Sequence, residues 1–280
     1  MEIDVDERVG RAYFGRGLVD HELAELNAGV IDTARLQRDL MSLSPSLLAT
    51  QFPPIGLTSS IPNAAVCLED MALTLGEAEY ALRQAMLALH VFRNHNPVEP
   101  MAVSMAKFYV SDLAMRLYAA GEHAAAAILD ILGRSEKELE REKQISRQSK
   151  VAAFLKREMA THPLTTIGRI LGECPEFFST LDFRAKLTHH QPPTVAGIGM
   201  VHRRQASRWK RKEEKSAKGT TVWQLRVGGG DPPETTVDQI LRNAERGFSC
   251  FCEYAELLVD HYFEVLRSHG IELERAKSET

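Results

Sequence analysis

Leu68, Met71, Leu75, Ala78, Leu82, Ala85, Leu89 and Phe92 follow one another at intervals of 3, 4, 3, 4, 3, 4 and 3 residues. A strand repeats every two residues, so this period belongs to a helix. It predicts a helix from Pro62 to about Arg93, roughly 45 Å long at about 1.5 Å per residue. An apolar seam that long and narrow has to be covered by a partner of similar length. The chain supplies one. Val237, Leu241, Ala244, Phe248, Phe251, Ala255, Leu258, Tyr262 and Val265 step by 4, 3, 4, 3, 4, 3, 4 and 3. They predict a closing helix from about Thr235 to Ser268, with Gly270 just past its end.

The intervening segments fit the same plan. Met101 to about Leu132 reads as a second long helix, with Val103, Ala106, Val110, Leu113 and Leu117 inward and a break near Gly121. Arg134 to Glu158 is densely charged and reads as a solvated helix held by ion pairs along its own surface. His162-Pro-Leu breaks it, and a further helix is expected from about Pro175 to His189. Between Gln191 and Pro233 the pattern changes. Thr221-Val-Trp-Gln-Leu-Arg-Val227 alternates like a strand, with Val195–His202 as its expected partner. The fold class expected is all-α: a bundle of long, roughly antiparallel helices with a small β-hairpin-like insertion at about 191–233. Residues 1–60 are expected to form an N-terminal helical arm (Val19 to Leu43) and a Pro-rich connection, and residues 61–280 the bundle.

Charge and cysteines narrow the function classes. Lys and Arg number 34 against 38 Asp and Glu, a net charge of −4, which excludes a broadly basic nucleic-acid wrapper. Cys67, Cys174, Cys250 and Cys252 form no Cys-x-x-Cys pair and no disulfide framework, and read as idle thiols. The acidic start, Met1-Glu-Ile-Asp-Val-Asp-Glu, lacks the marks of a secretory signal, and no apolar run is long enough to span a membrane. A cytoplasmic protein without membrane association is expected. The scattered histidines show no metal-ligand spacing, Gly228-Gly-Gly-Asp is no phosphate loop, and no nucleophile motif occurs. No metal or cofactor is called for.

One phrase carries chemistry. In Arg184-Ala-Lys-Leu-Thr-His-His190, Arg184 is followed five residues later by His189 and six later by His190. The phrase resembles the signature of the HEPN superfamily: Arg, four to six arbitrary residues, then His, near a helix end in a helical bundle. The resemblance spans roughly residues 62–268 and rests on the motif and the helix layout. Ala185 departs from the polar residue that many members place after the arginine. What the resemblance implies is an RNA-acting protein, homodimeric and, if active, a metal-independent endoribonuclease. Arg184 would hold the phosphate and its developing charge, and His189 would act as general base or acid, with His190 as the alternate. On a continuous helix Arg184 and His189 stand about 140° apart. They converge only if the helix unwinds near Thr188 or a second copy supplies one of them. The competing reading pairs Arg184 with Asp182 or Glu176 and leaves the histidines as helix caps.

Just beyond lies a basic run. Residues 203–218 carry eight basic residues against Glu213 and Glu214, a local charge of +6. Arg203, Arg204, Arg208, Lys210, Arg211 and Lys212 are the candidate RNA-binding residues, flanked by Trp209 and Trp223 for stacking. A solvated hairpin tip is the competing reading. At the level of the whole chain, the alternative to an RNA-acting protein is a non-catalytic helical scaffold that oligomerises or binds partners.

Overall fold

The computed structural model describes residues 33–41, 60–95, 99–144, 146–189, 195–196, 210–215, 221–226 and 235–273. Its described part is an all-α bundle of seven helices with four short strands. The helices are α1 (Ala34–Met41), α2 (Ser60–His95), α3 (Glu99–Ile131), α4 (Arg147–Glu158), α5 (Pro163–Gly172), α6 (Pro175–His189) and α7 (Val237–Ser268).

The two seams become the core. Every seam residue of α2 from Leu68 to Leu89 is buried, as is every seam residue of α7 from Val237 to Tyr262. Val265 packs against the core, partly buried. The buried surface of α2 is wider than the seam, because Ala64, Ala65, Ala72 and Ala81 are buried too. These small side chains admit the neighbouring helix closely. α2 and α3 run antiparallel: Glu77 pairs with Arg116, and the Cys67 thiol meets Asp130 Oδ2 at 3.9 Å. α7 closes the bundle. Its Tyr262 hydroxyl donates to the Ile61 carbonyl at 2.8 Å, across a chain separation of 201 residues.

Prolines open several helices. Pro163 and Pro175 are first residues of α5 and α6, and Pro62 and Pro100 lie in the first turns of α2 and α3. A first-turn N–H has no partner within its helix, so proline costs little there. α3 runs unbroken through Gly121, against expectation. Beside that glycine lies the Gln148 side chain from α4, whose amide end occupies the place a Cβ would take.

The charged stretch also differs from the expected single helix. It divides into a 3-10 turn, Glu136–Leu139, and then α4. Serines make the division. Ser135 and Glu138 form a capping box on the turn, and the Ser146 hydroxyl accepts from Ser149 N at 3.1 Å to start α4. Arg134–Glu138 is an i,i+4 pair, but Arg147–Glu136 joins α4 to the turn, and Arg157–Glu142 joins α4 to the connection that follows the turn.

The insertion holds two separate pairings. β2 (Lys210–Lys215) and β3 (Thr221–Arg226) form an antiparallel hairpin, with Lys210 opposite Arg226 and Lys215 opposite Thr221. The partner of the Thr221 strand is therefore the basic run and not the Val195 segment. A connection of five residues, 216–220, closes that pair locally, at less entropy than a loop from Val195 would cost. β1 (Val195–Ala196) instead pairs in parallel with β4 (Thr235–Thr236).

α1 docks on the middle of α2. Leu36 and Leu40 join the common core. Glu79 binds the start of α1, accepting from Thr33 N at 2.9 Å and from its hydroxyl at 2.6 Å. The rest of the expected Val19–Leu43 helix and the Pro-rich connection up to Ser59 lie outside the described residues.

Candidate functional site

The motif helix is set by its first half. The Phe177 ring stacks on Phe251 of α7 with centroids 5.8 Å apart. The Asn243 amide donates to the Ser179 hydroxyl at 2.9 Å. Gly247 lets the α6 backbone come close: an added Cβ would stand 3.0 Å from Phe177 Cα. Residues later in α6 thus meet residues earlier in α7, so the pair is antiparallel. Continued to its end, this register carries Arg184 and His189 toward the start of α7 at Val237.

That end also holds the base of the insertion. Five residues separate His189 from Val195, at most about 20 Å of chain. β1 then lies beside Thr235–Thr236, immediately before α7. Thr236 caps α7, its hydroxyl accepting from Gln239 N at 3.1 Å. Both ends of the insertion are therefore held together where α6 ends and α7 begins. Lys210, Arg211 and Lys212 lie in β2, a paired strand and not a free loop. Arg203, Arg204, Arg208, Trp209 and His190 lie outside the described residues.

Arg184 and His189 are placed by backbone alone. α6 stays helical through His189, with no unwinding at Thr188. Their positions therefore remain about 140° apart around one axis. One helix does not bring them to one face.

Of the carboxylates that could orient a histidine, Glu79 and Glu77 are already engaged. Glu79, 1% exposed, binds Thr33 with one oxygen and Arg83 with the other, at 2.9 Å to Nε and 2.7 Å to the terminal nitrogen. Glu77 is engaged by Arg116. Asp182 stays exposed on α6. All four cysteines are free. Burial pushes the Cys250 thiol up to about 12 and Cys252 higher still, so neither is a nucleophile at neutral pH.

Two features escaped the sequence reading. Glu79 and Arg83 are an i,i+4 pair that looks like any solvated helix pair, and burial alone distinguishes it. His162 and His261 meet edge to face with centroids 5.7 Å apart, 99 residues from each other in sequence. No local pattern signals that contact. Among the described residues no group of three or more His, Cys, Asp or Glu is arranged to hold a metal ion, and no helix is long and apolar enough to cross a membrane. Comparison of the chain with protein-family models, with curated proteins and with solved structures finds no match.

Proposed function

We propose that the chain is a HEPN-like, RNA-acting protein, in which Arg184 holds a phosphate and His189 moves the proton of a 2′-hydroxyl. One observation carries the reading. The antiparallel α6–α7 pair and the parallel β1–β4 pair gather the Arg/His end of α6 and the base of the basic insertion at one end of the bundle. The insertion supplies phosphate-neutralising charge, and Arg184 and His189 supply the two chemical roles of a metal-free phosphodiester cleavage.

The 140° offset shapes the mechanism. A single copy does not present both groups to one phosphate, so the active species is a homodimer in which Arg184 of one copy meets His189 of the other. The test is RNA cleavage in EDTA. Wild type is expected to cut, and Arg184→Ala and His189→Ala to lose more than about 100-fold while melting normally. Replacing Lys210, Arg211 and Lys212 with Ala should weaken RNA binding and reduce its salt slope by about 2 to 3. Intact RNA at high protein concentration, with no retention of RNA by the wild type, would refute the proposal.

A second reading, a helical scaffold, has its own support. Val66, Leu73 and Tyr80 repeat every seven residues along α2 and are 50%, 48% and 55% exposed. Phe108 and Met115 repeat the interval on α3, and they too are exposed. A seven-residue apolar stripe suits a second copy of the same chain. Under this reading, Leu73→Glu with Tyr80→Glu converts a dimer to a monomer in sedimentation, and no RNA activity accompanies either form.

A further inference from the structure

A cavity of about 300 Å³ lies where α3, α4, α5, α6 and α7 meet, away from the Arg/His end of α6. Its walls are mainly aliphatic and aromatic, including Leu155, Leu164 and Phe177, with Ser146 and Ser149 from the start of α4 at one side. No lining residue carries a charge. The two serine hydroxyls are already bonded to each other at 2.8 Å.

Two further observations point to an occupant. Gly168 and Gly172 lie one turn apart on α5 and line the cavity, and a Cβ at the half-buried Gly168 would meet nothing within 4 Å, while Gly172 opens to solvent. Tyr254 of α7 also lines the cavity and is only 4% exposed. Its ring packs edge-on against Phe251 at 5.5 Å. Among the described residues no hydrogen bond engages its hydroxyl, and burial is the sole influence on its ionisation, pushing the phenol well above its ordinary range. The group therefore stays protonated and able to donate. An unpartnered hydroxyl in an otherwise largely apolar wall is a donor that a bound oxygen acceptor can engage.

We propose that this cavity binds a small, neutral, largely apolar molecule carrying one oxygen acceptor, which takes a hydrogen bond from the Tyr254 hydroxyl. Neutrality follows from the lining: an anion would enter with no counter-charge. Size follows from the volume, which suits one aromatic ring or a short acyl chain.

Acetophenone, ethylbenzene and benzoate serve as probes, followed by saturation-transfer NMR and by titration calorimetry on the full chain. Acetophenone is expected to bind about tenfold more tightly than ethylbenzene, the worth of one hydrogen bond, with benzoate weakest. Tyr254→Phe should erase the acetophenone preference, keep ethylbenzene binding, and melt no lower than wild type. Gly168→Leu, which projects into the open space, should weaken both neutral ligands. The proposal is overturned if the wild type binds neither neutral probe at millimolar concentration, if benzoate binds best, or if Tyr254→Phe keeps the preference. A lower melting temperature for Tyr254→Phe would also overturn it, since that would mean the hydroxyl already has a partner.

Discussion

Glu79 is the residue on which the N-terminal part depends. It is buried, charged and satisfied on both oxygens, by Thr33 on one side and Arg83 on the other. Removing the carboxylate leaves a buried guanidinium short of a partner and the start of α1 unanchored. Glu79→Ala is therefore expected to cost about 3–5 kcal/mol in urea unfolding. Amide exchange should show α1 losing protection before α2. Equal protection of α1 in wild type and variant would show that Leu36 and Leu40 hold that helix unaided. His162 supplies a second prediction. Its Nδ1 accepts from Leu164 N at 3.2 Å and caps α5, which requires that nitrogen to be unprotonated. Burial, and after it the neighbouring His261, hold its ionisation below the ordinary 6.5. A depressed histidine leaves the unfolded chain binding the proton first. The stability it lends is complete above about pH 6.5 and is lost as the pH falls through the folded-state value. Melting curves between pH 7.5 and 5 should thus fall more steeply for wild type than for His162→Asn, which caps without titrating. Parallel curves would remove His162 from the account.

At the level of elements, two glycines with opposite surroundings make opposite predictions. Gly247 faces the α6 backbone, where an added Cβ meets Phe177 Cα at 3.0 Å and Glu176 O at 3.2 Å. Backbone cannot rotate aside, so Gly247→Ala loses about 1–3 kcal/mol to overpacking. That outweighs the gain of about 1 kcal/mol from helix propensity. Gly168→Ala meets nothing within 4 Å and keeps only the gain. The first variant should melt lower than wild type and the second higher, and the reverse order would contradict the close α6–α7 approach. Elements were the most legible scale. The α2 and α7 seams announced their helices because a 3–4 alternation over eight or nine residues has no other outcome. The α6 span, Pro175–His189, matched its proline start and its histidine end. Legibility failed where partner choice rather than periodicity decides. The Thr221 strand alternates identically whichever segment it pairs with, and loop closure selected the basic run. Gly121 reads as a break or as a close approach until Gln148 is seen beside it.

At the scale of the whole molecule, the motif Arg184-x4-His189 and its offset on a continuous helix were legible, and whether the helix unwinds at Thr188 was not. Five residues on an uninterrupted helix turn a pair that is near in sequence into two positions about 140° apart. If a second copy restores proximity, a prediction follows that is separate from loss of activity in single variants. Suppose Arg184 of one copy serves with His189 of its partner. Each heterodimer of Arg184→Ala with His189→Ala then contains one site with both groups intact and one with neither. Random mixing makes half of the dimers heterodimers, so two inactive preparations, exchanged and pooled, should recover about a quarter of wild-type cleavage. If both groups serve from one copy, every site in the mixture lacks one of them and no activity returns. The same mixture in a Leu73→Glu, Tyr80→Glu background tests the surface that joins the copies. Recovery lost there places dimerisation on the exposed α2 stripe. Recovery kept there places it elsewhere, and α6 itself, whose Phe178 is 51% exposed, is the next surface to test.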